Sequence, residues 1–178
     1  MVSTPPRLVP DAEFPPYAYA GDPQPHPRNH PEGHSRDLPE EVPPAFDPGQ
    51  WRASRAYLSG LDLFNHGYYW EAHEEWEGLW IAAGKQGAVS EFMKGLIKLT
   101  AAGVKVRQAQ PDGARRHAGR AAEHFQQAGE LAGRTDFGGF RLADLIDFAS
   151  HVKTHAADWL PHADEVVAVV FDRFLMPE

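Results

Sequence analysis

The chain reads as all-α: a single up-and-down helical bundle of about five helices over residues 51–178, behind an extended, proline-rich N-terminal arm over residues 1–50. Three observations predict this. Downstream of residue 50, apolar residues recur at three- and four-residue spacing, the period of an amphipathic helix. Thirteen of the sixteen prolines precede residue 51. Each lacks a backbone donor and restricts the residue before it, so the arm is extended or turn-rich. Cysteine is absent from the 178 residues, which leaves a hydrophobic core, and no disulfide framework or cysteine metal site, to hold the fold.

The elements follow in order. In the arm, Phe14, Tyr17, Tyr19 and Phe46 are aromatic anchors for packing across the body. That packing would bring His26 or His34 within reach of the second helix. Trp51 to Phe64 carries Ala53, Tyr57, Leu61 and Phe64 on one face and predicts the first helix. Gly67, after Asn65 and His66, reads as its left-handed stop. A second helix starts near Tyr68 and ends near Gly84, making a short-looped hairpin with the first. Val89 to Gln108 is a core helix whose Gly95 and Gly103 imply close approach of neighbouring helices. Pro111-Asp112-Gly113 marks a turn and helix start, and Ala114 to Ala132 presents Ala114, Ala118, Ala121 and Ala128 with Phe125 for tight packing. After a break at 135–139, Arg141 to Trp159 resumes the period until Pro161. Val166 to Leu175 fits a short strand, an extended tail on the core or one more turn of helix.

Residues 64–80 carry the chemistry. They hold four carboxylates, two histidines, three tryptophans and two tyrosines, and ionisable groups among aromatic bulk mark pKa-perturbing, often functional, surroundings. On a helix, Trp70, His73, Glu77 and Trp80 share one face with Glu74 at its margin, whereas Glu71 and Glu75 turn away, toward water or a cation. His73-Glu74-Glu75-Trp76-Glu77 is a His-Glu-x-x-Glu string. His73 and Glu77, at i and i+4, can reach one metal ion, with Glu74 beside them as a base for water. The alternative is that His73 and Glu77 hydrogen-bond each other and anchor the hairpin.

Other histidines are candidates by position. His26, His30 and His34 lie in the arm, and His66 precedes the signature helix. His151 and His155, spaced i and i+4, would clamp a metal together or complete the ligand set of His73 and Glu77; His117 and His124 flank the alanine face. Lys94, Lys98, Lys105, Arg107, Arg115, Arg116 and Arg120 form a basic cluster, read as a solvated face or an anion site. The net charge of −8 argues against a nucleic-acid partner. No run approaches the ~20 apolar residues of a membrane span and the N-terminus lacks an apolar signal core, so no membrane partner and a cytoplasmic location are expected.

The string Phe64-Asn65-x-Gly67-x-Tyr69-Trp70-Glu71-Ala72-His73-Glu74-x-Trp76-Glu77-x-x-Trp80, followed by Phe92-Met93-x-Gly95-Leu96-Ile97-x-Leu99 and Gly113-Ala114, resembles the family known as domain of unknown function 309, over residues 51–131. The arm, with Pro15-Pro16-Tyr17, Pro25-His26-Pro27 and Gly33-His34-Ser35, resembles a longer subset of it. The resemblance implies an all-helical bundle and carries the general label of a predicted metal-dependent hydrolase. Two readings follow. In the first, His73, Glu77 and a third group (His34, His26 or His66) hold one divalent ion, zinc, manganese or nickel. Glu74 or Glu71 then deprotonates the attacking water of a small-molecule substrate. In the second, the chain is a non-catalytic helical binding or structural module, a homodimer in one form, whose acidic-aromatic helix is a buried polar network.

Overall fold

The computed structural model describes residues 4–39, 41–159, 161–162 and 164–178. Of the expected arm, residues 1–3 and 40 therefore lie outside the described residues, as does Ala163 of the expected tail. A short 3-10 helix, Pro48–Ala53, leads into five α-helices: α1 (Arg55–Asn65), α2 (Tyr69–Ala82), α3 (Gly87–Arg107), α4 (Pro111–Ala132) and α5 (Leu142–His155). Between α4 and α5 a minimal antiparallel hairpin pairs β1 (Asp136–Phe137) with β2 (Phe140–Arg141), Phe137 opposite Phe140. Each helix packs on the next in chain order, α3 against α4 most extensively. The protein is all-α, as the apolar period predicts.

Helix boundaries differ from the expected ones where side chains compete with backbone. The expected first helix, from Trp51, is broken at Ser54, whose hydroxyl accepts from Tyr57 N and caps α1. Such a cap needs a non-helical residue at the cap position, so Trp51 stays in the 3-10 turn and is buried there. α4 begins three residues early, with Pro111 in its first turn, where a missing N–H costs nothing. α5 stops at His155 instead of Trp159, and His155 Nδ1 pairs with Asp158 Oδ2 at 2.9 Å across the following turn.

The core explains the glycines. A Cβ on Gly95 would run into the Phe125 ring of α4, and one on Gly103 would meet the Tyr69 ring of α2 at 2.6 Å. Both helices can approach α3 only because these positions are bare. Gly67 has φ +90°, and a Cβ there would lie 2.5 Å from Ala168 O. It ends α1 and lets the C-terminal segment pass.

That segment, open to three readings in the sequence, is an extended tail on the core. Ala168, Val170, Phe171 and Leu175 are buried, and Phe171 lies against Phe64, Tyr69 and Phe148. Side chains of the signature satisfy its backbone in place of a ladder. Asn65 Nδ2 donates to Leu175 O at 2.9 Å, Leu175 N donates to Asn65 Oδ1 at 2.8 Å, and Val170 N donates to Tyr69 Oη. Buried backbone groups require such partners.

The arm runs against the same helices. Leu8 N and Val9 N donate to the Asp62 carboxylate, Arg107 donates to Ala18 O, and Phe14 packs on the rings of His66 and Tyr68. Val9, Tyr17, Ala18 and Phe46 are buried.

Candidate functional site

The polar residues of α2 fall into two groups, set apart by their partners. The first is His73, Glu74 and Glu77, each half-buried. One ligand atom from each lies within 4.8 Å of the others, the one such set of three found among the described residues. His73 Nε2 and Glu77 Oε2 are 4.0 Å apart. That is too long for a hydrogen bond, so the expectation that the pair closes on itself fails. Donors each ~2 Å from a shared ion are roughly 3–4 Å apart, so the three side chains would have to draw slightly together to hold one cation.

The second residue layer orients the imidazole. Thr100 of α3 donates its hydroxyl hydrogen to Ile97 O at 2.7 Å, and its oxygen lies 3.4 Å from His73 Nδ1. Donating to Ile97 leaves Thr100 free to accept from Nδ1, the tautomer that keeps the Nε2 lone pair on the side of Glu77. Burial lowers the pKa of His73 below 6.5, Lys98 adds to the lowering, and Glu77 and Glu74 oppose it. Burial thus favours the neutral imidazole, the form that binds metals. Glu74 Oε2 is held by Arg28 Nε of the arm at 3.0 Å.

The second group centres on Glu71. The sequence pointed it to water or a cation; it is instead buried beneath the arm. Glu71 Oε1 accepts from Tyr19 N at 2.9 Å and lies 3.0 Å from His34 Nε2, while His34 Nδ1 meets Ser35 Oγ at 2.7 Å. A compact loop delivers His34. Ser35 N donates to Pro27 O, and Gly33 packs so closely on the Pro27 carbonyl that a side chain would collide with it. Helical periodicity could not reveal this burial, because it arises from a segment with no period. Glu75, also expected at the surface, is half-buried; burial raises its pKa above 4.5, with Arg55 opposing.

The remaining candidates are placed elsewhere. His26 Nδ1 accepts from Arg28 N and Asn29 N, and its ring stands edge-on to Trp70 and Tyr19. His66 Nδ1 donates to Asp62 O at 2.7 Å. Neither His34, His26 nor His66 is the third member of the His73 group; Glu74, expected as a base, takes that position because it is one residue from His73 on the same helix. The rings of His151 and His155 lie 4.4 Å apart, tilted by 45°, but pair with Asp172 and Asp158 respectively, and do not join His73. His124 pairs with Glu91 at 2.7 Å, and Lys94 with the same carboxylate. Thr100 and Arg28 were not foreseen. A threonine in the apolar stripe of α3 was the available signal for the first; the second had none.

Residues 57–117 match the family described as Domain of unknown function (DUF309), in agreement with the resemblance carried by the Asn-x-Gly and Glu-Ala-His-Glu residues. No curated protein and no solved structure matches the chain. No helix among the described residues is long and apolar enough to cross a membrane.

Proposed function

We propose that this protein is a metal-dependent hydrolase of a small-molecule substrate, with His73, Glu74 and Glu77 as the protein ligands of one divalent ion. The observation that carries the reading is the His73, Glu74 and Glu77 set, one ligand atom from each within 4.8 Å of the others, with His73 Nε2 facing Glu77 Oε2 at 4.0 Å. One nitrogen and two carboxylate oxygens suit zinc, manganese or nickel, and three protein ligands leave a coordination position open. A divalent ion there supplies Lewis acidity and lowers the pKa of water. The chain's own part is to orient His73 through Thr100, to position Glu74 through Arg28, and to leave the cluster open to water on one side. The absence of a nucleic-acid partner is part of this proposal, supported by the net charge of −8; a cytoplasmic location is proposed with it.

A second reading is favoured by the Arg28–Glu74 pair, which competes with an ion for the same carboxylate. In it the α2 polar residues are a network that pins the arm, and the protein is a non-catalytic binding module. Metal analysis of protein purified without a histidine tag, supplied with zinc, manganese and nickel in turn, separates the two. The hydrolase reading expects one ion per chain, lost in His73→Ala, and metal-dependent turnover of an ester, amide or phosphoester panel. Failure to bind any of the three near one per chain removes it.

A further inference from the structure

α3 lies between α2 and α4. Thr100 and Gly103 meet His73 and Tyr69 of α2, and Gly95 and Lys105 meet Phe125 and Gly113 of α4. Both neighbours therefore run antiparallel to α3, and the register of these contacts puts Ala101 between His73 on one bank and His117 on the other. Ile97, Lys98, Ala101 and Val104 are half-buried, whereas Leu96, Leu99 and Ala102 are fully buried, so the half-buried row floors a shallow trough between the two banks. We infer that the substrate of the His73 site is a phosphate monoester, its dianion held in this trough by Lys98 and His117. The inference rests on the metal-site reading above.

Partners sort the basic cluster that the sequence shows here. Lys94 is held by Glu91, Lys105 by Gln108 and Gln110, and Arg115 by Asp112. Lys98, on the floor of the trough, has no hydrogen bond or ion pair among the described residues, and neither has His117 on its bank. Burial lowers the pKa of both His73 and His117, and Lys98 adds to the lowering in each, so its ammonium stands within electrostatic reach of the two banks. Glu77 also acts on His73, yet it forms no ion pair with Lys98 among the described residues. A free ammonium thus lies beside carboxylate oxygens that remain available to an ion.

Charge balance then selects the substrate class. Glu74 and Glu77 together offset a divalent ion, and Arg28 already pairs with Glu74, so Lys98 is a cation in excess. A neutral ester or amide would leave that charge unused. A phosphate monoester carries a charge of about −2 at pH 7 and three terminal oxygens. Those oxygens can serve the ion, the Lys98 ammonium and one imidazole N–H of His117, the kind of clamp that stabilises a phosphoryl group in transfer. Hydrolysis adds one water across the ester P–O bond. The water oxygen joins phosphorus, the P–O bond breaks, the leaving oxygen takes one proton and the other stays on the phosphate, with no further reactant.

The test is calorimetric titration of the full chain with phenylphosphonate, which carries the phosphoryl oxygens but no ester bond to hydrolyse. The protein is first loaded with whichever of zinc, manganese or nickel it retains, and metal content is measured on the same sample. Physiological salt screens loose ion pairing. Saturable one-to-one binding is expected, weaker by about tenfold or more in Lys98→Gln, as loss of one charge-assisted contact implies, and partly restored in Lys98→Arg. Benzoate, with a single carboxylate on the same ring, should bind more weakly. Lys98 is half-buried and unpaired, so its replacement should leave the fold and the metal content intact. One ion per chain without saturable phenylphosphonate binding, or with unchanged affinity in Lys98→Gln, overturns the inference and leaves the hydrolase reading standing. Equal affinity for benzoate overturns the phosphate assignment. A chain that takes up none of the three metals overturns both.

Discussion

His34 Nε2 lies 3.0 Å from Glu71 Oε1, and the two side chains are only 6% and 5% exposed. The contact joins the arm to the signature helix across 37 positions of sequence. A buried pair of this kind is weak evidence of net stability, but removing one partner strands the other.

His34→Ala is therefore expected to destabilise the chain by about 1–3 kcal/mol, the cost of an unsatisfied buried polar group. Urea unfolding measures it. In a double-mutant cycle with Glu71→Ala the two losses should be markedly less than additive, since both remove one interaction. Additive losses would mean that the pair is not coupled.

Glu74 distinguishes a ligand from a base. As a ligand, its replacement in Glu74→Gln should weaken metal binding as well as turnover, because a neutral amide oxygen is a poorer donor to a divalent ion than a carboxylate. As a base alone, the variant should retain full metal content and lose only turnover. The geometry of the His73 group predicts the first outcome, read by metal titration.

His117 supplies a pH dependence. Burial lowers its pKa below 6.5, and Lys98, Lys105, Arg116 and His73 add to the lowering. A histidine held neutral in the folded state binds fewer protons than in the unfolded chain. Its contribution is thus complete above about pH 6.5 and is lost as pH falls through the unfolded and then the folded pKa. His117→Gln should flatten this part of the stability–pH curve, measured by denaturant midpoints between pH 7.5 and 5. An unchanged slope would show that His117 is as accessible to protons folded as unfolded.

Gly103→Ala tests the α2–α3 packing. The new methyl would meet the Tyr69 ring at 2.6 Å, and overpacking of this degree costs about 1–3 kcal/mol. Because Tyr69 also accepts from Val170 N, amide exchange at Val170 should quicken in the variant. A thermal midpoint equal to that of wild type would refute the close contact.

Local pattern carried most of the fold. The apolar period of residues 51–159 was enough to find five helices, Gly67 announced a helix stop, and Gly95 and Gly103 announced close approaches because a bare position inside a periodic stretch has few other uses. The i, i+4 spacing of His73 and Glu77, with Glu74 beside His73, placed the donor cluster on one helix before any packing was known. Such relations depend only on the geometry of a single helix. What tertiary structure decided was everything that depends on what covers a face. Glu71 and Glu75 read as exposed because α2 alone presents them away from the core; the arm, with no hydrophobic period to betray its path, closes over that side. Asn65 looked like a turn residue, and it is also the clamp that holds Leu175, 110 positions away. Thr100 and Arg28 reach the His73 cluster from another helix and from the arm. No spacing within one segment encodes a contact between two, so the ligand string was legible and its surroundings were not.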